Sequence, residues 1–182
     1  MPEAARTFRT KPEMALTEID RLLASDLSFG VVLADAGYGL SASFRKGLSE
    51  RGLLWAVGIP KHQKVYAADI AMIFPQARRG RPRLRSVPET DCLAADKVLA
   101  NARWRRITWR RGSKGRLSAS FAAVRVRVAD GPPQRIRLMG AQHLPGEEVW
   151  LIGERRASGE HKYYLSNLGR RLITRRTIGV HR

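Results

Sequence analysis

The strongest constraint on the fold is one stretch, Val31-Val32-Leu33-Ala34-Asp35-Ala36-Gly37-Tyr38-Gly39. Phe29 to Leu33 is a short apolar, β-branched run of the kind that forms a buried strand. It stops on a carboxylate, and Gly37 and Gly39 then break the strand. Leu40, Phe44 and Leu48 recur at helical spacing, which predicts a helix over Ser41 to Arg51 that ends at Gly52. A second apolar run, Leu53 to Ile59, is stopped by Pro60. Upstream, Thr10-Lys11-Pro12-Glu13 has the form of a capping box with proline in the first turn. Ala15, Leu16, Ile19, Leu22 and Leu23 then give one apolar stripe running to Ser25. Helix, strand, helix, strand in that order implies two parallel strands joined by a right-handed crossover. An acid held where a buried strand meets a glycine-rich turn is rigid yet reachable, which suits a metal ligand or general base. The alternative is that Asp35 only caps the turn or the helix after it.

From Lys61 the texture changes. Ala77 to Arg85 is a basic, Gly/Pro-punctuated linker without periodicity. Arg79-Gly80-Arg81-Pro82, followed by Arg83, resembles the core of an AT-hook, whose arginines enter a narrow minor groove; a solvated loop between domains accounts for the same composition. Asp91 to Asn101 reads as a short helix capped by Asp91. Beyond it, Trp104 and Trp109 interleave with Arg105, Arg106, Arg110, Arg111 and Lys114. That pattern suits base stacking with phosphate contact, or a sheet edge whose tryptophans face the core while its arginines face water. Gly112 to Gly115 lacks the glycine spacing of a P-loop. Val124, Val126 and Val128 alternate with Arg125 and Arg127, Asp130 to Pro133 reads as a turn, and Arg135 and Arg137 alternate again. With Val149 to Ile152 and Lys162 to Leu168 these segments make an antiparallel meander with one apolar face. A hairpin in that register would gather Arg125, Arg127, Arg135 and Arg137 on one phosphate-tracking face.

Charge narrows the function classes. Lys and Arg number 34 against 16 Asp and Glu, a net charge of +18, and such a balance is the footprint of a polyanion partner, nucleic acid first. A membrane surface competes for the same charge, but the chain has no basic amphipathic helix and no long apolar run. The lone Cys92 excludes an intramolecular disulfide framework, and His62, His143, His161 and His181 are too scattered for a His/Cys metal motif. The N-terminal residues form no apolar signal region, so the expected location is cytoplasmic and nucleoid-associated.

Three segments carry a family resemblance: Val32 to Gly39 with Phe44-Arg45-x-Gly47-Leu48 and Leu53-x-Trp55-Ala56-Val57-Gly58-Ile59-Pro60; Trp104 to Gly115; and Tyr163-Tyr164-Leu165-Ser166-Asn167-Leu168. Together they resemble the second catalytic aspartate region of insertion-sequence DDE transposases, relatives of the retroviral integrases in the ribonuclease-H-like superfamily. The resemblance implies an α/β fold, a partial ribonuclease-H-like core with an inserted antiparallel β subdomain. It divides the chain into a core at 1–60, a linker and all-β insertion at 61–160, and a returning strand with a basic end at 161–182. It also implies Mg²⁺-dependent phosphodiester hydrolysis and strand transfer on double-stranded DNA at transposon ends, by proteins that can act as oligomers. Family members hold two Mg²⁺ ions, about 3.5–4 Å apart, between three carboxylates. Asp35 alone carries over as a catalytic and metal-binding acid. A first aspartate on an earlier strand and a glutamate on a helix after Leu168 have no match, and no Asp or Glu follows Glu160. The expectation is therefore a truncated, catalytically incomplete transposase whose Asp35 strand is an uncovered sheet edge. A non-catalytic basic DNA-binding protein is the alternative, and an RNA- or ribosome-associated protein is a third reading that charge alone permits.

Overall fold

A computed structural model describes residues 8–28, 30–74, 85–112, 115–137 and 140–169. Helix α1 (Lys11–Leu23) opens on the expected capping box: the Thr10 hydroxyl accepts from the Glu13 amide at 3.4 Å, and the Glu13 carboxylate accepts from the Thr10 amide at 2.7 Å. Strand β1 (Val32–Ala34), a single helical turn α2 (Ala36–Gly39), helix α3 (Ala42–Glu50) and strand β2 (Trp55–Ile59) follow. β1 and β2 pair in parallel, Val32 with Trp55 and Ala34 with Val57, so the crossover expected from element order is present. The glycines after Asp35 form a helical turn rather than a plain break. Leu40 is exposed instead of lying on the α3 stripe, because the Ser41 side chain accepts from the Phe44 amide and starts the helix after it. Tyr38 takes that place, its ring 5.5 Å from that of Phe44.

Downstream come β3 (Lys64–Ala67), β4 (Met72–Ile73), β5 (Val87–Pro88), β6 (Leu93–Ala94) and helix α4 (Ala95–Ala100). Strands β7 (Arg105–Gly112), β8 (Gly115–Val128), β9 (Pro133–Arg137), β10 (Gly140–His143), β11 (Glu148–Arg156) and β12 (His161–Ser166) complete the described elements. One eight-stranded mixed sheet runs β1-β2-β12-β11-β8-β3-β6, with β7 also on β8. The fold class is α/β, compatible with a partial ribonuclease-H-like core. β12 is the joint of the sheet: it pairs antiparallel with β2 on one side and β11 on the other. Among the described residues β1 pairs with β2 alone, and Leu33 is 75% exposed, so the Asp35 strand is not the buried strand its apolar run suggests but the open edge the resemblance implies.

The two faces of the sheet are packed differently. Ile19, Phe44 and Leu48 cover one face together with Val57, Val126 and Leu151 of the strands, and all five residues of β2 are buried. Leu16 of α1 meets α3 at Gly47, where a side chain would collide with it. The opposite face carries a smaller cluster in which Phe121, Trp150 and Tyr164 surround Ile152 and Leu168. The tryptophans of β7 and its approach divide between these clusters. Trp104 joins the helix-side core and donates its indole N–H to Leu99, whereas Trp109 packs edge-on against Phe121.

Two further expectations fail for identifiable reasons. Asp91 does not cap α4; Leu93 and Ala94 pair with Val65 and Lys64, and the helix begins only after them at an Ala94 cap without a side-chain bond. The carbonyls of Gln63 and Lys61 take the first helical amides instead, those of Ala95 and Asp96. β9 does not form a hairpin with β8 either. Both edges of β8 are occupied, by β11 on one side and by β7 and β3 on the other, so β9 pairs with β10 in a separate sheet. Gly131 marks the diversion, its amide donating to Leu144 and its α-carbon pressed too close to the Leu144 carbonyl for a side chain.

Candidate functional site

Asp35 sits where β1 ends, with extended backbone, as the N-cap of α2. Its Oδ1 accepts from the Gly37 amide at 2.9 Å and the Tyr38 amide at 3.4 Å, and its backbone carbonyl accepts from Gly39 at 2.9 Å. Oδ2 takes no hydrogen bond among the described residues. The capping alternative is thus realised in part, and it leaves half of the carboxylate available for a ligand. A one-turn helix is not stable by itself, so packing must hold this turn. Gly39 lies directly on Gly58 of β2, with no room for a Cβ, and a side chain at Gly58 would come within 2.9 Å of the Ala36 amide nitrogen. The two glycines let α2 rest on the strand backbone, which fixes Asp35 from below.

An open cleft of about 640 Å³ begins at Asp35. Lys61, Asp96, His161, Lys162 and Tyr164 also line it. These residues are far apart in sequence, and the topology gathers them at the ends of β1 and β2. Asp96 is delivered by the bond from its amide to the Lys61 carbonyl; His161 and Lys162 arrive on β12. Tyr164 donates to Glu154 at 2.8 Å; burial, and then this neighbouring acid, push its phenol above the ordinary range, so it stays protonated at neutral pH. Sequence reading missed Asp96, Lys61, His161 and Lys162, since no local spacing marks them.

The described residues do not make a complete metal centre. No three His, Cys, Asp or Glu side chains among them group closely enough to hold an ion. A Mg²⁺ pair needs several carboxylates in near-octahedral geometry, and a single aspartate offers too few oxygens.

The basic candidates lie away from this corner. Arg105 and Arg106 are exposed on β7, and Arg106 donates to Ser118. Arg125 and Arg127 share one face of β8; Arg125 pairs with Glu148 at 2.6 Å and lies over the Trp150 ring, while Arg127 donates to the Gly146 carbonyl. Of Arg110, Arg111, Arg135 and Arg137 only the backbone is described, and the last two sit on β9, outside the main sheet. Arg79, Arg81, Arg83 and Lys114 lie outside the described residues. Five strand steps separate β1 from β7, roughly 24 Å at about 4.8 Å per step. No described helix is long and apolar enough to cross a membrane.

The family model of the DDE superfamily endonucleases matches residues 1–116, which spans α1 through the start of β8 and includes Asp35. No curated protein matches the chain.

Proposed function

The chain belongs to the DDE superfamily endonucleases, and we propose that it is a DNA-transposition protein whose share of the cleavage site is Asp35. In this reading the protein grips duplex DNA at the nucleoid through its arginine-rich strands and, as this chain alone, does not cut. The observation that carries it is the geometry at Asp35: a carboxylate at the end of a β-strand, pinned through one oxygen and open through the other, at the mouth of a cleft. A net charge of +18 supports a polyanionic partner. The separation of β1 from β7 corresponds to about seven base steps at 3.4 Å each, so a duplex lying across the strands from β7 toward β1 would span it. Divalent-metal chemistry is general to the family, and the described residues supply one strand-end carboxylate toward it. In this reading, the want of partner carboxylates among the described residues, rather than the placing of Asp35, is what limits cleavage.

The experiment is a plasmid-nicking assay with Mg²⁺ or Mn²⁺, run beside duplex binding at several salt concentrations. The expected result is steeply salt-dependent binding without nicking, and no change in nicking on Asp35→Ala. Metal-dependent nicking that disappears in Asp35→Ala would refute the incomplete-site reading and show that the chain cuts by itself. Tighter binding to structured RNA than to duplex DNA would overturn the choice of partner.

A further inference from the structure

The FRxGL segment contains a charged residue that the cleavage reading leaves without a role. Arg45 is 2% exposed, in the middle of the apolar side of α3. Its guanidinium spans two acceptors that are remote from each other in the chain. Nη1 donates to the carbonyl of Gly39, the last residue of α2, and Nη2 forms an ion pair with Asp130 Oδ2 at 2.6 Å. Asp130 lies just beyond the end of β8, its side chain 11% exposed, and the neighbouring Lys46 ammonium donates to its backbone carbonyl at 3.2 Å.

We propose that Arg45, anchored by Asp130, is the positioning residue for Asp35: it clamps the rear of α2 to the end of β8 while the Asp35 side chain holds the front. The proposal rests on Asp35 being the functional carboxylate. Three features support it. First, the turn is one helical turn long and depends on outside contacts for its conformation. Second, a planar fork is needed to reach a carbonyl and a carboxylate at once; a lysine ammonium, a single point of charge, reaches one of them. Third, Asp130 Oδ1 is buried without a hydrogen bond among the described residues, and Gly146 leaves room for it where a side chain would collide. A pair selected only for stability would satisfy both oxygens or give way to apolar packing. One that sets a geometry can carry an orphaned atom. The clamp makes the position of Asp35 depend on where β8 ends, so the strands with the DNA-facing arginines and the carboxylate share one rigid connection.

The deciding measurement is amide hydrogen exchange in the full chain, without DNA or metal, for the unmodified protein and for Asp130→Asn, Arg45→Lys and Arg45→Met. The Gly37 and Tyr38 amides report the Asp35 cap, and Val57 and Leu151 report the surrounding sheet. Asp130→Asn is expected to speed exchange at Gly37 and Tyr38 by about tenfold while Val57 and Leu151 keep their protection, because the clamp opens locally. Arg45→Lys should recover part of the protection and Arg45→Met none. In Asp130→Asn, a parallel loss at all four amides would overturn the proposal, since a merely structural pair lowers protection everywhere through global stability; Arg45→Met, which also strands a buried acid, is read only at Gly37 and Tyr38. Unchanged exchange at Gly37 and Tyr38 would overturn it equally. If Arg45→Met does not fold, Asp130→Asn decides alone, as it keeps the shape and an acceptor for Arg45. Failure to bind duplex DNA would overturn the function proposed above and leave the clamp standing.

Discussion

Asp35 and the arginines of β7 and β8 stand far apart on one sheet and are held in opposite ways. Asp35 is fixed by two backbone amides, a glycine-on-glycine contact and, behind the turn, a buried ion pair. Arg105, Arg106, Arg125 and Arg127 are long, exposed or half-exposed side chains, and Arg105 and Arg106 project from β7, Arg106 with a single side-chain bond to Ser118. The difference follows from what each group must do. A carboxylate that shares a ligand tolerates little error in position, whereas attraction to a line of phosphates falls off gently and tolerates a great deal. Substitutions should therefore act on stability and geometry at the corner, and on DNA affinity without stability at the strands.

The largest expected effect is at the corner. Arg45→Met leaves Asp130 buried without a counter-charge and should lower unfolding stability by about 3–5 kcal/mol in a urea titration. Gly39→Ala places a methyl group against the Gly58 carbonyl; forcing α2 off the strand should cost about 3 kcal/mol. By contrast, Arg105→Ala with Arg106→Ala should move stability by no more than about 0.5 kcal/mol per site. On the DNA side the same pair should reduce the slope of log affinity against log salt by about 2. A large loss of stability from the arginine pair, with the slope unchanged, would break the comparison.

Much of the fold is legible in the sequence where it is built from neighbours. The capping box at Thr10, the parallel β1–β2 pair and the alternation of Val124, Val126 and Val128 with Arg125 and Arg127 all depend on spacings within a few residues. The edge position of β1 was legible too, from the resemblance rather than from periodicity. What the sequence hides is contact across the chain. Asp96 and His161 reach the Asp35 cleft only because β12 inserts between β2 and β11 and because the turn after β2 caps α4. No local spacing marks Arg45 as buried, because its partner Asp130 lies 85 positions later. The departure of β9 from β8 is hidden for a related reason: its local alternation is that of a strand, but the neighbouring edges of β8 go to β7, β3 and β11.

Alkaline pH should separate the two regions without mutation. Tyr66, whose hydroxyl donates to the His143 carbonyl, is pushed from 10.0 up to about 12, mainly by burial and next by Cys92; Tyr164 in the Asp35 cleft shifts the same way. Each phenol has a folded pKa above its unfolded value, so its contribution to stability is complete below about pH 10 and lost as pH rises through the folded value. Thermal melts should fall across that window while arginine, still charged, keeps binding phosphate. Tyr66→Phe should flatten part of the fall. A loss of DNA binding at an alkaline pH that still leaves the duplex paired, preceding any loss of fold, would count against arginine as the dominant contact.

The smallest expected effect is the most discriminating, because the same chemistry should change sign between the two regions. Arg125 and Glu148 form an ion pair at 2.6 Å with side chains 37% and 44% exposed, beside the Trp150 ring. An exposed pair of this kind contributes about 0.2–1 kcal/mol, so Glu148→Gln should scarcely move the melting temperature. It should also strengthen duplex binding, because a guanidinium released from its carboxylate is free for phosphate and the repulsion between Glu148 and DNA is gone. At the corner, Asp130→Asn neutralises an acid in the same way, but its arginine is buried and has no phosphate to turn to; there the expected outcome is a loosened Asp35 turn and no gain in affinity. If Glu148→Gln weakens DNA binding, Arg125 needs its acid to be oriented, and the strands are preorganised in the same manner as the corner.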